Sequence, residues 1–538
     1  MKRTLFSAVL ILSASLWSAY AQNHVSKVWV ADQGNGTYKN PVLYADYSDP
    51  DVCRAGDDFY MTSSSFNCIP GLQILHSKDL VNWTIIGYAV SKLPPDTVFE
   101  RPQHGNGIWA PSIRYRNGEF FIYYGDPDYG IYMTKTKDPA GEWEALTLVK
   151  PGKGLIDPCP LWDEDGQAYL VHAFAGSRAG FKSVLCVTRL TPDGKQTVGE
   201  SRIIYDGHDT DPTIEGPKFY KRNGFYYIFA PAGGVKTGWQ LVLRSKNIFG
   251  PYERKVVMAQ ENTVINGPHQ GGWVNTSAGE DWFVHFQDVG VVGRLVHLQP
   301  MMWKNDWPVI GEDKDGDGCG VPVLTWKKPN TGKNYPIATP AENDEFEANT
   351  LGLQWQWHAN PQPWWAFTNQ EKGCLYLYSV PIPENFRNLW DIPNLLLQKM
   401  PVSEFTATMK ITFVPQIRGE RTGLVIMGQD YALLSIENTA DGLVLSQAEC
   451  PRAENGTKEQ VHASATLKDP TVYLRVTVKQ GSICTFSYST DGRRFTSLGK
   501  EFKAREGKWI GAKVGTFCSR PIRNNDGGRV EVDWFRFQ

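Results

Sequence analysis

The sequence predicts an all-β protein, a five-bladed β-propeller followed by a β-sandwich. Three observations predict it. A Gly-containing turn followed by an aromatic, alternating strand recurs as GDDFYMTSSS from 56, NGEFFIYYGD from 117, EDGQAYLVHA from 164, RNGFYYIFAP from 222 and SAGEDWFVHF from 277. A second phrase, a strand ending in a charged turn and an aromatic, follows several of these as LHSKDLVNW from 75, MTKTKDPAGEW from 133 and LRSKNIFGPYE from 243. Composition agrees, because 51 glycines and 12% aromatic residues favour short strands and turns.

Units of roughly fifty to sixty residues, each holding about four strands, have the size of propeller blades, which bury their faces against neighbours. Five such units imply five blades. With 538 residues, net charge -2 and 41% hydrophobic content, the chain has ample core for more than one domain. The near-neutral balance, without runs of Lys or Arg, leaves no footprint for nucleic acid or an anionic membrane surface.

Residues 1–21 read as a signal peptide. Lys2 and Arg3 precede a short apolar stretch, and Ala19-Tyr20-Ala21 places small residues at a cleavage site before Gln22. Export to the periplasm or the medium is therefore expected. The propeller is assigned to 22–324. The Pro-, Lys- and Asn-rich stretch 325–342 reads as a linker, and 343–538 as the sandwich. Nine cysteines without CxxC pairs argue against structural zinc and are expected to be mainly buried free thiols.

Three carboxylates stand beside the first strands of their units in Pro- or Gly-containing contexts: Asp49 in YSDPDV, Asp157 in LIDPCP and Glu215 in IEGPK. Asp49, preceding Pro50, is expected on a stiff, extended segment. Innermost strands of a propeller converge on its axis, so these side chains can meet at one mouth. Cleaving an acetal between sugars needs a proton donor to the leaving oxygen and a second carboxylate on the opposite face of the ring. A third carboxylate nearby keeps the donor protonated near neutral pH. The competing reading of each acid alone is a turn residue or calcium ligand.

In order, NPVLYADYSDPDVCR, IWAPSIRYRNGEFFIYY, LIDPCPLWDEDGQAYLV, IEGPKFYKRNGFYYIFAPAGG and FQDVGVVGRLVHLQPMMWKNDWPVIG resemble the blade motifs of glycoside hydrolase family 43. That family includes β-xylosidases and α-L-arabinofuranosidases. The region from FEANTLGLQWQW to the closing DWFRF is similar to the concanavalin-like jelly roll appended to its xylosidase-type members. The resemblance implies Asp49 as general base, Glu215 as general acid and Asp157 as the acid that tunes and orients Glu215. It implies an inverting, one-step reaction, with base and acid roughly 6.5 to 9.5 Å apart. It further implies Trp109 as an aromatic face for the sugar, Arg294 as a charged donor to its hydroxyls, and His269 on the axis facing a bound calcium through water. Phe66 is a candidate apolar rim, or equally a core residue, and Asp51 a structural turn residue.

No cofactor is required for such chemistry, and a structural calcium near the axis stays open. The DKDGDG stretch from 313 has Leu324 where a calcium loop needs its bidentate Glu, so it is expected to be an acidic turn without metal. The expected partner is a plant polysaccharide or oligosaccharide, trimmed at its ends. Alternatives are a carbohydrate-binding propeller without turnover, and a fructan hydrolase. The latter's Arg-Asp-Pro motif is absent, and the only Glu-Cys pair, Glu449-Cys450, lies in the sandwich.

Overall fold

The computed structural model describes residues 24–538, so the expected signal peptide lies outside the described residues. Each Gly-containing turn connects the first two strands of one sheet. In Asn117-Gly118 and Asn223-Gly224 both residues have positive φ, near 51° and 81° in the first and 50° and 75° in the second. That mirror-image turn matches the twist of the strands it joins and is why Asn-Gly stands there.

Five four-stranded antiparallel sheets follow one another in chain order, at 51–90, 109–151, 155–206, 218–258 and 269–310. Their innermost strands are Asp51–Ala55, Trp109–Arg116, Leu155–Trp162, Lys218–Arg222 and His269–Asn275. Second strands such as Glu119–Asp126 and Phe225–Ala232 are buried along nearly their whole length. An outer strand such as Thr197–Asp206 is mostly exposed. Burial on both faces explains why the aromatic runs do not alternate strictly with polar residues.

A separate apolar core fills each junction between neighbours. Ile74 and Leu72 of blade one meet Ile113 and Ile122 of blade two. Tyr123 and Met133 meet Leu170 at the next junction, Val171 and Leu185 meet Phe219 and Ile228 at the third, and Phe229 meets Phe283 at the fourth. Phe59 and Met61 of blade one meet Val284 and Val296 of blade five and so close the ring. Each such side chain contributes about 1.5–3 kcal/mol through burial.

No blade is shared between the two ends of the propeller. The ring is instead clasped by a strap of residues 37–47. Thr37–Lys39 pairs antiparallel with Thr325–Lys327, and Leu43 exchanges backbone hydrogen bonds with Val296 at 3.2 and 3.3 Å. Tyr47 N–H donates to the Arg294 carbonyl at 3.0 Å. The segment expected as a linker is thus tied down. Its later part is held too, since Ala338 N–H donates to Asn82 Oδ1 at 3.0 Å and Ser26 Oγ donates to Glu342 at 2.9 Å.

The sandwich comprises two eight-stranded sheets around one core that includes Met409, Ile411, Leu434 and Val476. Val292 and Leu295 of blade five belong to the same core, so the domains are fused. Further stitches join Ile69 to Trp357 by paired backbone hydrogen bonds, and the Asn360 side chain to the backbone of Leu93. All nine cysteines are unpaired, and only Cys319 is partly exposed. Among the described residues no helix is long and apolar enough to cross a membrane.

Candidate active site

One backbone feature recurs at the start of each inner strand. Asp49, Ala110, Asp157, Gly216 and Gln270 all have positive φ, at 54°, 28°, 57°, 59° and 35°. The first four directly precede proline. Asp49 is therefore left-handed and not extended, a correction to the reading of its Pro50 neighbour. Proline disfavours the right-handed helical region for the residue before it, but a strained left-handed turn remains open when surrounding bonds hold it. Register shifts follow Trp109, Ile156 and His269, which turns these residues toward the axis.

The consequence is a funnel of about 510 Å3 lined by Asp49, Asp157, Glu215, Arg294, Trp109 and Phe66. Five of the predicted positions thus come together with Glu215. His269 lies beside them, with Nε2 3.4 Å from Glu215 Oε1 but without an aligned hydrogen bond.

Asp49 is 4% exposed and acts as an acceptor throughout. Its Oδ2 accepts from Ser48 Oγ at 2.8 Å and Ser64 Oγ at 2.6 Å, and its Oδ1 from Arg294 Nη1 at 3.2 Å. Ser64 also accepts the Ala110 N–H at 2.7 Å, which ties blade one to blade two beneath the funnel. Arg294 is fixed from below, with Phe286 against its guanidinium at 4.9 Å.

Glu215 has a different environment. Burial, then the charges of Asp157 and Asp49, push its carboxyl up to about 8. Asp157, 2% exposed, accepts the Gly216 N–H at 2.7 Å, so it grips the residue that follows Glu215. Burial also raises Asp157, against the pull of that N–H and of the Lys218 charge. The funnel therefore holds one carboxylate fed by donors and one carboxyl kept protonated at neutral pH, an acid and base pair in form.

Asp51 is not a turn residue. It opens the inner strand of blade one, is fully buried, and pairs with Arg114 Nη1 at 2.6 Å. Phe66 is 2% exposed yet lines the funnel, edge-on to Trp109 with centroids 6.2 Å apart.

The metal question turns on donors. Calcium takes six to eight oxygen ligands. His269 offers two buried ring nitrogens without partners, and burial pushes its imidazole down to about 3. Among the described residues, Glu215, protonated, is the only carboxyl within 4.0 Å of its ring nitrogens. This set does not fit direct calcium ligation, and no step below passes through a metal. Among the described residues, Asp313, Asp315 and Asp317 are the one trio of His, Cys, Asp or Glu whose ligand atoms converge, within 4.8 Å, in the expected acidic turn.

Sequence reasoning missed Trp509, which comes from the sandwich. It is 51% exposed, lines the funnel, and stands edge-on to Trp109 at 6.1 Å. Gln270 and Val235 were missed as well. Only the glycines flanking KWI at 507 and 511 mark the Trp509 loop as special.

Comparison with known proteins establishes the family. The family model described as glycosyl hydrolases family 43 matches residues 38–308, and that of the beta xylosidase C-terminal concanavalin A-like domain matches 343–538. A Xylanibacter ruminicola protein named "Putative beta-xylosidase" is 39% identical, over 91% of this chain and 88% of its own. The Bacteroides ovatus non-reducing end alpha-L-arabinofuranosidase BoGH43B is 31% identical, over 95% and 97%. The crystal structure of the GH43 BlXynB protein from Bacillus licheniformis superposes with a TM-score of 0.79 at 26% identity, covering 93% of this chain and 99% of that one. The chain belongs to glycosyl hydrolases family 43 and is a glycoside hydrolase with a C-terminal concanavalin A-like domain.

Proposed function

We propose that the protein is an exported, inverting exo-glycosidase that removes terminal β-D-xylosyl residues from plant hemicellulose or its oligosaccharides. The observation that carries this reading is the funnel itself, where Asp49, held by donors, and the protonated Glu215 open onto one cavity. Asp49 accepts a proton from a water that attacks the anomeric carbon, while Glu215 gives its proton to the departing oxygen. Asp157 orients Glu215 through Gly216 and raises its proton affinity. Arg294 and Trp109 hold the sugar by hydroxyl contacts and an aromatic face.

Exo action is supported by Trp509, which walls the funnel from the second domain. The xylosyl preference rests on the names of relatives such as that of Xylanibacter ruminicola. The Bacteroides ovatus relative supports α-L-arabinofuranosyl as the second reading. Export rests on residues 1–21 alone. A binding propeller without turnover gives no account of three carboxylates in one cavity.

The test is proton NMR of the first sugar released from an aryl β-D-xyloside, with an aryl α-L-arabinofuranoside in parallel. α-Xylose as the first product supports the reading. β-Xylose first, or turnover of neither glycoside, overturns it.

A further inference from the structure

The funnel opens sideways into a wider cavity, with which it shares Val235, Arg294 and Trp509. Blades four and five form one wall of this cavity and the sandwich loop 505–511 forms the other. Its free space is about 330 Å3, against about 120 Å3 inside the funnel. A funnel that takes one terminal sugar ring therefore leads to room for more than one further ring.

Glu215 places the cavity on the leaving-group side. Its N–H donates to the Pro231 carbonyl at 3.1 Å, and the chain runs on from there to Val235 and Lys236 on the cavity wall. The departing oxygen takes the Glu215 proton, so the rest of the substrate extends along the side where that loop stands. Both walls are held. Asn266 Nδ2 donates to the Lys236 carbonyl at 3.2 Å, and the Gln429 N–H donates to the Glu506 carbonyl at 2.9 Å.

Three side chains on these walls have free ends. Lys236, Glu506 and Lys508 are exposed, and among the described residues none of them has an ion-pair partner. Arg505, the cation next to Glu506, is committed to Asp430 at 2.8 Å and Glu454 at 3.2 Å. Charge is balanced as well. Asp49 matches Arg294, which leaves the ammonium groups of Lys236 and Lys508 against the carboxylates of Asp288 and Glu506. Ammonium groups donate and carboxylates accept, and a sugar hydroxyl does both. Trp509, 51% exposed, adds an apolar face common to both compartments. Such walls match a neutral, hydroxyl-rich chain better than a charged one.

We propose that this cavity holds about two further rings of a neutral, unbranched pentose oligosaccharide, and that Lys236, Glu506 and Lys508 set a preference for substrates of about three rings or more. The inference deepens the proposed function and rests on it for the identity of the pentose. The length preference rests on the free space and the three unpaired side chains.

The test compares kcat/KM for β-D-xylosyl fluoride, xylobiose, xylotriose and xylotetraose. In the wild type the value is expected to rise about tenfold or more from xylobiose to xylotriose and to level off at xylotetraose. Lys236→Met, Glu506→Gln and Lys508→Met are each expected to lower the xylotriose value about three- to tenfold. The fluoride, whose leaving group fills none of the cavity, is expected to lose less than about twofold, and it also controls for folding. A wild-type value that is flat or falls from xylobiose to xylotriose overturns the inference. So does an equal loss for the fluoride and xylotriose in all three variants. A wild type that turns over neither the fluoride nor the oligosaccharides sinks the proposed function itself, whereas one that turns over the fluoride without the length preference sinks only this inference.

Discussion

Asp46 of the propeller accepts the backbone N–H of Gly511 in the sandwich at 3.0 Å. Its other oxygen accepts the N–H of Arg294 at 2.9 Å. One buried carboxylate thereby sets the height of the Arg294 backbone and that of the loop carrying Trp509. The fit is close, because a Cβ on Gly511 would meet the Val292 carbonyl at 2.5 Å and one on Gly293 would meet Asp46 at 2.5 Å. Asp46→Asn turns one acceptor into a donor facing an N–H. We expect a loss of about 1–3 kcal/mol in denaturant unfolding. Aryl xyloside kcat/KM should also fall, chiefly through KM, and an unchanged KM would show that the two loops are placed by something else.

Glu215→Gln should slow substrates according to how badly their leaving group needs a proton. Xylobiose should lose about 10²–10⁴-fold, and a dinitrophenyl xyloside far less. Asp49→Asn should suppress both equally, since activated water is needed whatever departs. Equal losses for both substrates in Glu215→Gln would remove it as the acid.

Activity should fall on the alkaline side as Glu215 gives up its proton, near pH 8. The Asp157 charge helps to keep that proton on Glu215, so Asp157→Asn should move the alkaline limb of kcat/KM to lower pH. A limb that stays in place would show that Asp157 acts only through its bond to Gly216.

The same raised affinity costs stability. The unfolded chain releases the Glu215 proton near its ordinary 4.5, whereas the folded chain keeps it to about 8. Stability therefore drops across that window as pH rises, and above it the penalty is constant. Glu215→Gln has no proton to lose, so its Tm should exceed that of the wild type by a margin that widens from pH 4.5 to about 8. A margin independent of pH would mean that Glu215 is not buried with a raised proton affinity.

Trp509 supplies wall and little core, being 51% exposed. Trp509→Ala should change stability by no more than about 0.5 kcal/mol. It should lower kcat/KM by about 0.5–1.5 kcal/mol of lost aromatic contact, roughly two- to twelvefold. Wild-type kinetics in this variant would place the sugar elsewhere in the funnel.

The blades were readable because a tight turn has few chemical solutions. Asn117-Gly118 and Asn223-Gly224 announce their hairpins, and the aromatic strands after them belong to faces covered on both sides. Asp49, Asp157 and Glu215 were readable because each sits by a proline at an inner strand. The left-handed backbone of Asp49 and Asp157 was not, since the rule for residues before proline excludes only the right-handed helix. The pairing of Thr37–Lys39 with Thr325–Lys327 was hidden because strands of three residues carry no alternation. Trp509 was hidden because its neighbour Trp109 is 400 positions away and meets it only when two domains dock.

The strap over residues 37–47 has an implication for how the molecule comes to life. Asp49, the proposed general base, sits on the first blade and its guanidinium partner Arg294 on the last, on opposite lips of the gap that the strap closes. Four blades and most of a fifth can be complete while Asp49 still lacks Arg294. Ring closure and arming of the reaction centre are therefore a single event, and a propeller that gapes at that gap is switched off before it is unfolded.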